Sequence, residues 1–148
     1  MTFSQFKLEF DIVRDNRRAM RSIMRELQTL SDDRLSTVGS GAIDYSKERV
    51  QASHDPDNAI INTLARIDKD TDRLKEKLRR LEDANERYEE LIYSADGIGG
   101  EVVRLYVIEG LAMRLVAQHL HYSPAHCWKL HGLTLKQLYE RSEQEATT

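Results

Sequence analysis

The sequence predicts an all-α protein, and three observations carry that prediction. Apolar residues recur every three or four positions along two long segments, which places them on one face of a helix in each. Charged residues make up 32% of the 148-residue chain and fill the positions between the apolar ones. The two prolines both stand where a helix is expected to begin. We therefore expect a long helical hairpin or coiled coil, followed by a C-terminal helix-turn-helix.

The first helix is predicted from Ser4, its candidate cap, to Leu30. Its stripe alternates steps of three and four and includes one arginine: Phe3, Phe6, Phe10, Val13, Arg17, Met20, Met24 and Leu27. The polar segment "SDDRLSTVGSG" contains two glycines and is expected to end the helix. Residues 31–54 show no sustained period, so an irregular loop is predicted there.

A second long helix is predicted from Asp55 to Tyr93, with Pro56 in its first turn. Its apolar positions form a heptad seam. The residues assigned to oligomerisation on this seam are Ile60, Leu64, Ile67, Leu74, Leu78, Leu81, Asn85 and Tyr88. A buried amide at a seam position favours a paired arrangement, because it can meet a partner amide and fix the register. The seam can pack against the first helix as a hairpin, against a second copy, or within a bundle of two hairpins. Residues 1–93 are thus predicted to form a homo-oligomerisation region, most simply a dimer.

Residues 94–148 are predicted to form a separate domain of three short helices. "SADGIGGEV" has three glycines within four residues and should be a turn. A buried helix then ends at Gly110, and a second one turns Leu111, Leu115, Val116 and Leu120 inward. Ser123 is a candidate cap for the third helix, with Pro124 at its first position. Its inward face is expected to consist of Cys127, Leu130, Thr134 and Leu138.

Two helices joined by a tight turn, the second capped by Ser-Pro, are typical of a DNA-reading helix-turn-helix. The candidate DNA contacts at the start of the third helix are Ser123, Ala125, His126, Trp128 and Lys129. Arg104 and Arg114 are candidates for holding the DNA backbone from the preceding helices. However, residues 94–148 carry five Lys and Arg against six Asp and Glu. Since DNA-binding domains usually have a basic face, a purely protein-binding or structural trihelix stays open.

Three stretches carry a family resemblance: "YSKERVQASHDPDNAI", the long charged helix after it, and "VVRLYVIEGLAMRLVAQHLHYSPAHCWKLHGLTLKQL". Together they resemble the ArpU and RinA type of phage transcriptional regulators. The last stretch also resembles the fourth region of bacterial sigma factors. The likeness covers roughly residues 45 to 138, about two thirds of the chain. It implies a DNA-binding phage or prophage protein of Gram-positive bacteria that activates late or packaging genes with the host RNA polymerase.

Carried onto this sequence, the resemblance implies a recognition helix from Ser123 to about Leu138. Its exposed face is expected to consist of Pro124, Ala125, His126, Trp128, Lys129 and His131. Sigma-type recognition helices usually present several Arg or Glu side chains where this chain has Ala125, His126 and Trp128. An alternative is therefore a protein-interaction module, such as an inhibitor of a host nuclease or a small terminase-like packaging subunit.

Other chemistry is weakly indicated. Cys127 and His131 stand four residues apart on one helical face and His119 is a further candidate ligand, but structural zinc needs four ligands, so no metal or other cofactor is expected. "DGIGGE" lacks the lysine and the preceding strand of a phosphate-binding loop, so we do not expect an enzyme. No apolar run approaches the length of a membrane span, and the start of the chain lacks the features of a signal peptide. A cytoplasmic protein of a bacterial host, without membrane contact, is expected.

Overall fold

The structure, a computed structural model, describes residues 1–43 and 56–147, and its side chains are described for 1–39 and 58–147. The described residues form five α-helices and no strand. These helices are α1 (Phe3–Ile43), α2 (Pro56–Ser94), α3 (Gly97–Val103), α4 (Met113–Leu120) and α5 (Pro124–Thr147). A short π-helical segment, Arg104–Ile108, continues α3. The predicted all-α fold is confirmed.

The first helix is longer than the sequence predicts. α1 continues to Ile43, so the prediction of an irregular loop over residues 31–54 is wrong for residues 31–43. The hydroxyl of Thr37 donates to the carbonyl of Asp33 at 2.8 Å, one turn earlier. Its hydroxyl is thus satisfied inside the helix and does not compete with the helical backbone. The rest of the predicted loop, residues 44–54, lies outside the described residues.

The helices are distributed over two compact units. The first comprises Met1–Met20 and Leu81–Thr148, and the second comprises Arg21–Arg80. The first unit thus joins the two ends of the chain. The predicted regions 1–93 and 94–148 follow sequence order instead, and their separate roles stay predictions.

In the second unit, α1 and α2 pack on each other. Ile23, Ile67 and Leu74 are buried there, and Arg34 Nε donates to Asp68 Oδ1 at 2.9 Å. Met24, predicted on the apolar stripe, is instead 58% exposed. Met24 lies five full helical turns after Phe6 and so on the same side of α1, but the side of α1 that packs on α2 in the second unit carries Ile23 instead. The other seam residues of this unit, Ile60, Leu64 and Leu78, are half-buried.

The core of the first unit combines residues from both ends of the chain. An aromatic group on α1 meets α2 and α5: Phe6 packs with Phe10 at 4.9 Å between ring centroids, with Tyr139 at 5.3 Å and with Tyr88 at 6.1 Å. Ile92 belongs to the same core and is fully buried. Since rings of this size bury large apolar areas, the start of α1 is an integral part of the unit that contains α4 and α5.

Asn85 shows which partner the seam has within the chain. Its side chain is fully buried, and Asn16 Nδ2 donates to Asn85 Oδ1 at 3.0 Å. Asn85 Nδ2 in turn donates to the carbonyl of Val13 at 3.3 Å. Beside this pair, Arg17, the charged member of the α1 stripe, forms an ion pair with Glu89 at 2.6 Å. The partner amide of Asn85 therefore comes from α1 of the same chain, in the hairpin arrangement, and not from a second copy.

The three glycines predicted to form a turn lie instead within the first four residues of α3, and the turn itself comprises Ala95 and Asp96. Gly97 alone among them adopts a positive φ, +72°, where the chain leaves α2. Gly99 lies inside α3, where a Cβ atom would overlap the Thr134 hydroxyl of α5. Gly99 thus permits the close packing of α3 on α5.

Candidate nucleic-acid interface

The turn between α4 and α5 is short because its backbone is left-handed at one residue. His121 has φ 62° and ψ 38°, which ends α4 in the way a glycine commonly does. The next amide, of Tyr122, donates to the carbonyl of Ala117 at 3.0 Å. The chain therefore passes from α4 to α5 through three residues, His121 to Ser123.

Ser123 caps α5 as the sequence predicts. Its hydroxyl accepts a hydrogen bond from the amide of His126 at 3.1 Å, and its carbonyl accepts one from the amide of Cys127 at 3.0 Å. Pro124 is the first residue of the helix, where its missing N–H leaves no bond unmade. These contacts fix where α5 begins and which of its residues face outward.

The inward face of α5 also agrees with the sequence. Cys127, Thr134 and Leu138 are buried, and Leu130 packs beside them. Burial raises the pKa of the Cys127 thiol, as is typical of a small core residue. On α4, Met113, Val116 and Ala117 are the buried positions, whereas Leu115 is 41% exposed. The prediction that Leu115 faces inward is therefore wrong, because the side of α4 that packs inward carries Met113, Val116 and Ala117.

The start of α5 presents six exposed residues, which we call the α5 face: Ser123, Pro124, Ala125, His126, Trp128 and Lys129. At 100° per residue, Ala125 and Lys129 lie opposite the buried Cys127, while His126 and Trp128 flank them on either side. The ring of His126 packs on Tyr122 at 5.1 Å between centroids. This face therefore offers a small residue and a cation at its centre, with a ring on each side.

Trp128 and His131 occupy a different position from the rest of the candidate contacts. The indole of Trp128 is 49% exposed and packs edge-on against Tyr106 at 5.2 Å and His131 at 5.8 Å. His131 is half-buried, and its Nδ1 has no hydrogen-bond partner among the described residues. Burial lowers the pKa of His131 to about 4. His131 is thus a neutral side chain beneath Trp128, although the family resemblance implies an exposed position.

The two arginines predicted to hold the DNA backbone have different surroundings. Arg114 on α4 is exposed. Arg104 is half-buried, and its Nη1 donates to the carbonyls of Ala95 at 2.8 Å and Ile92 at 3.3 Å. Arg104 therefore donates to carbonyls at the end of α2, whereas the sequence suggested that it holds the DNA backbone.

Sequence reasoning missed Arg14, which supports this region from α1. Arg14 Nε donates to the carbonyl of Tyr106 at 2.9 Å, and Nη2 donates to the carbonyl of Gly110 at 3.3 Å. Its guanidinium carbon also lies 4.2 Å from the centroid of the Tyr106 ring. The sequence offers no signal for this contact beyond an arginine beside an apolar stripe, because 92 residues separate the two partners.

A groove runs beside the α5 face within the first unit. Its volume is about 540 Å³, and its walls are Ser4, Lys7, Leu8 and Asp11 of α1 and Trp128, His131, Gly132 and Leu135 of α5. Leu8 is 59% exposed on the rim. The groove is open and partly apolar, so it offers a surface for contact but no enclosed cavity for a small molecule.

No group of three His, Cys, Asp or Glu side chains stands close enough to hold a metal ion within the described ranges. Across the same part of the chain, no helix combines the length and the apolar character needed to cross a membrane.

Comparison of the chain with protein-family models, with curated proteins and with solved structures found no match. The function of this protein is therefore inferred from the site itself.

Proposed function

We propose that this protein is a sequence-specific regulator of transcription that reads double-stranded DNA with the α5 face. The observation that carries the proposal is the exposed, capped start of α5, which follows α4 through a turn of three residues. A helix of this kind fits the major groove, and the residues of its first turns reach the base edges.

The residues of the α5 face are suited to different contacts with DNA. Ala125 is small and allows the backbone of α5 to come close to the bases. Lys129 carries the charge that pairs with a phosphate or with a guanine edge. His126 supplies a hydrogen-bond donor, and Trp128 supplies an apolar ring for a thymine methyl group. Arg114, exposed on α4, is the proposed phosphate contact from the preceding helix.

The biological setting of the proposal comes from the resemblance to the ArpU and RinA type of regulators. By that resemblance, the protein acts in a phage or prophage, in the bacterial cytoplasm, and activates late or packaging genes with the host RNA polymerase. Co-purification of the polymerase with the tagged protein from an infected host is the expected result. A promoter fusion that responds to the protein without any polymerase contact would contradict this setting.

We further propose that the protein acts as a dimer, since the nearly neutral C-terminal region binds DNA weakly as a single copy. Much of the predicted seam packs within the chain. The surface that supports dimerisation is instead the set of exposed apolar side chains on the second unit, Met24, Leu35, Val38 and Ile61. Sedimentation at tens of micromolar is expected to give twice the mass of the chain, and a strict monomer would contradict the dimer.

The experiment for DNA reading starts with selection of binding sites from random duplexes at low salt. Affinity for the selected duplex is then measured by fluorescence anisotropy. The double substitution Trp128→Ala and Lys129→Ala is expected to lower this affinity by about a hundredfold, because two contacts of roughly 1–3 kcal/mol each are lost.

The matched control is the double substitution Tyr93→Ala and Lys77→Ala, which removes an exposed aromatic ring and an exposed cation elsewhere on the protein. Its affinity should equal that of the wild type. Circular dichroism establishes that both variants remain folded. Equal binding by the Trp128 and Lys129 variant would move the reading site away from the α5 face.

A second candidate function is a protein-interaction module, such as a nuclease inhibitor or a small terminase-like packaging subunit. The observation that favours it is the open groove beside Trp128, with Leu8 and Ile12 exposed on α1. Substituting both Leu8 and Ile12 by Ser separates the two functions. Unchanged DNA binding with loss of nuclease inhibition would favour the interaction module, whereas unchanged inhibition would exclude this surface.

A further inference from the structure

A continuous series of side-chain contacts links α1 to the α5 face. The guanidinium of Arg14 lies over the ring of Tyr106, with 4.2 Å from its carbon to the ring centroid. The Tyr106 ring in turn contacts Trp128 and His131, both at 5.2 Å between centroids. The indole of Trp128 also packs edge-on against His131, at 5.8 Å between ring centroids. Three elements, α1, the π-helical segment and α5, thus meet at one half-exposed tryptophan.

These edge-on contacts restrict the movement of the indole. A tryptophan on a helix surface has several rotamers, and only contacts on its sides select one of them. Arg14 contacts Tyr106 in two ways, because its Nε donates a hydrogen bond to the Tyr106 carbonyl and its guanidinium lies over the Tyr106 ring. Arg14 also bonds the carbonyl of Gly110, just before α4. A single side chain therefore fixes both the ring that supports Trp128 and the backbone that leads into α4.

We propose that Arg14 is a positioning residue for DNA reading, which acts through Tyr106 to hold the indole of Trp128 in the orientation that discriminates between bases. The inference rests on the proposed function of the α5 face. It assigns a role in specificity to α1, which lies outside the helix-turn-helix. Because Arg14 acts through another residue, its loss affects discrimination more than overall DNA affinity.

The positioning step is tested without DNA by the intrinsic fluorescence of Trp128, which is the single tryptophan of the chain. The substitution Arg14→Gln is expected to shift the emission to longer wavelength and to raise the acrylamide quenching constant about twofold, since the indole gains freedom and solvent contact. The control Arg18→Gln removes an exposed arginine from the same helix and should change neither quantity. Arg14→Lys keeps the charge without the planar fork and should give an intermediate spectrum.

The consequence for DNA is measured as the ratio of affinities for the selected duplex and for a random duplex. Arg14→Gln is expected to lower this ratio about tenfold, which corresponds to about 1.4 kcal/mol. In a Trp128→Ala background the same substitution should change the ratio less than twofold, because the residue that Arg14 positions is absent. A merely structural role would lower the melting temperature and leave this coupling at zero.

The outcomes separate the two proposals. If Arg14→Gln leaves the Trp128 spectrum unchanged in a folded protein, the positioning role is overturned, whatever the protein binds. If the spectrum changes but the specificity ratio does not, Arg14 holds the indole without serving recognition, and the inference fails. If the wild-type chain selects no duplex, the proposed function of the α5 face fails, while the fluorescence result still decides whether Arg14 positions Trp128.

Discussion

At the scale of single residues, His131 illustrates how surroundings decide what a histidine does. The sequence suggested an exposed residue of the recognition helix or a distant candidate for zinc. The structure places it against Tyr106 and Trp128, with the cation of Arg14 on the same tyrosine ring and Lys7 in the same groove. Burial disfavours the charged ring, and the pKa falls to about 4. His131 is therefore an uncharged ring that supports Trp128 at neutral pH.

This pKa predicts how stability depends on pH. Between about pH 6.5 and pH 4 the unfolded chain binds a proton at this histidine and the folded chain does not, so stability decreases as the pH falls through this range. We expect a loss of about 2 kcal/mol between pH 7 and pH 5 from this residue. Urea denaturation at both pH values checks it, with His131→Gln expected to abolish this part of the change. The exposed His119→Gln is the control, and an equal pH dependence in all three proteins would refute the assignment.

Gly99 provides a second prediction at this scale. The substitution Gly99→Ala is expected to destabilise the protein by about 1–3 kcal/mol, because the new methyl group overlaps the Thr134 side chain. Adding Thr134→Ala should recover part of the loss. Gly39→Ala, in a helix position with open space around it, should instead stabilise by up to about 1 kcal/mol. Thermal melts of the four proteins suffice, and a neutral Gly99→Ala would show that α3 and α5 are not in close contact.

At the scale of elements, the sequence was most informative where local chemistry decides the structure. The Ser123 cap and the Pro124 start of α5 depend on neighbouring residues alone, and both are present. The predicted end of the first helix was wrong, because a helix can either end or continue through a segment of polar residues and glycines. The long-range contacts of Arg14 and Asn85 have no local pattern, since their partners lie far away in the chain. Prediction from one sequence could not identify these contacts.

The cap of α5 yields a prediction that separates folding from recognition. Ser123→Ala is expected to cost about 1 kcal/mol of stability, because the amide of His126 loses its acceptor. Ser123→Asp keeps an acceptor at the helix start and should retain the wild-type stability. It also places a negative charge on the α5 face, so its affinity for DNA should fall about tenfold or more. Urea denaturation and anisotropy on the same samples measure both quantities. An Asp variant that binds DNA like the wild type would place Ser123 away from the phosphates.

At the scale of the whole molecule, charge sets the conditions under which the proposed function is visible. The chain has a formal charge of -3, and no broad basic surface is indicated by its composition. The cations proposed to meet DNA are few: Arg114 and Lys129, with the exposed Lys136 further along α5. The fold class was predictable because helical periodicity extends over much of the chain. The first unit, which combines residues from both ends of the chain, could not be predicted, because its core depends on which apolar stripes pack together.

This small number of cations predicts the salt dependence of binding. With about three phosphate contacts per protomer, the slope of log affinity against log salt should be roughly -3 per protomer. Lys129→Ala should reduce the magnitude of this slope by about one. Anisotropy titrations across a series of salt concentrations measure the slope. A slope near -10 would require many more phosphate contacts than Arg114, Lys129 and Lys136 provide, and a slope near zero would argue against phosphate contacts.

The most direct test of the account is the emission of Trp128 during titration with the selected duplex. If the α5 face reads DNA as proposed, the selected duplex should cause a saturable change in emission, because the single tryptophan lies exposed on that face. A random duplex should give a weaker change, and added salt should reverse both. Tight binding detected by anisotropy with no change in the Trp128 emission would contradict the account, as would the absence of any duplex that the protein selects.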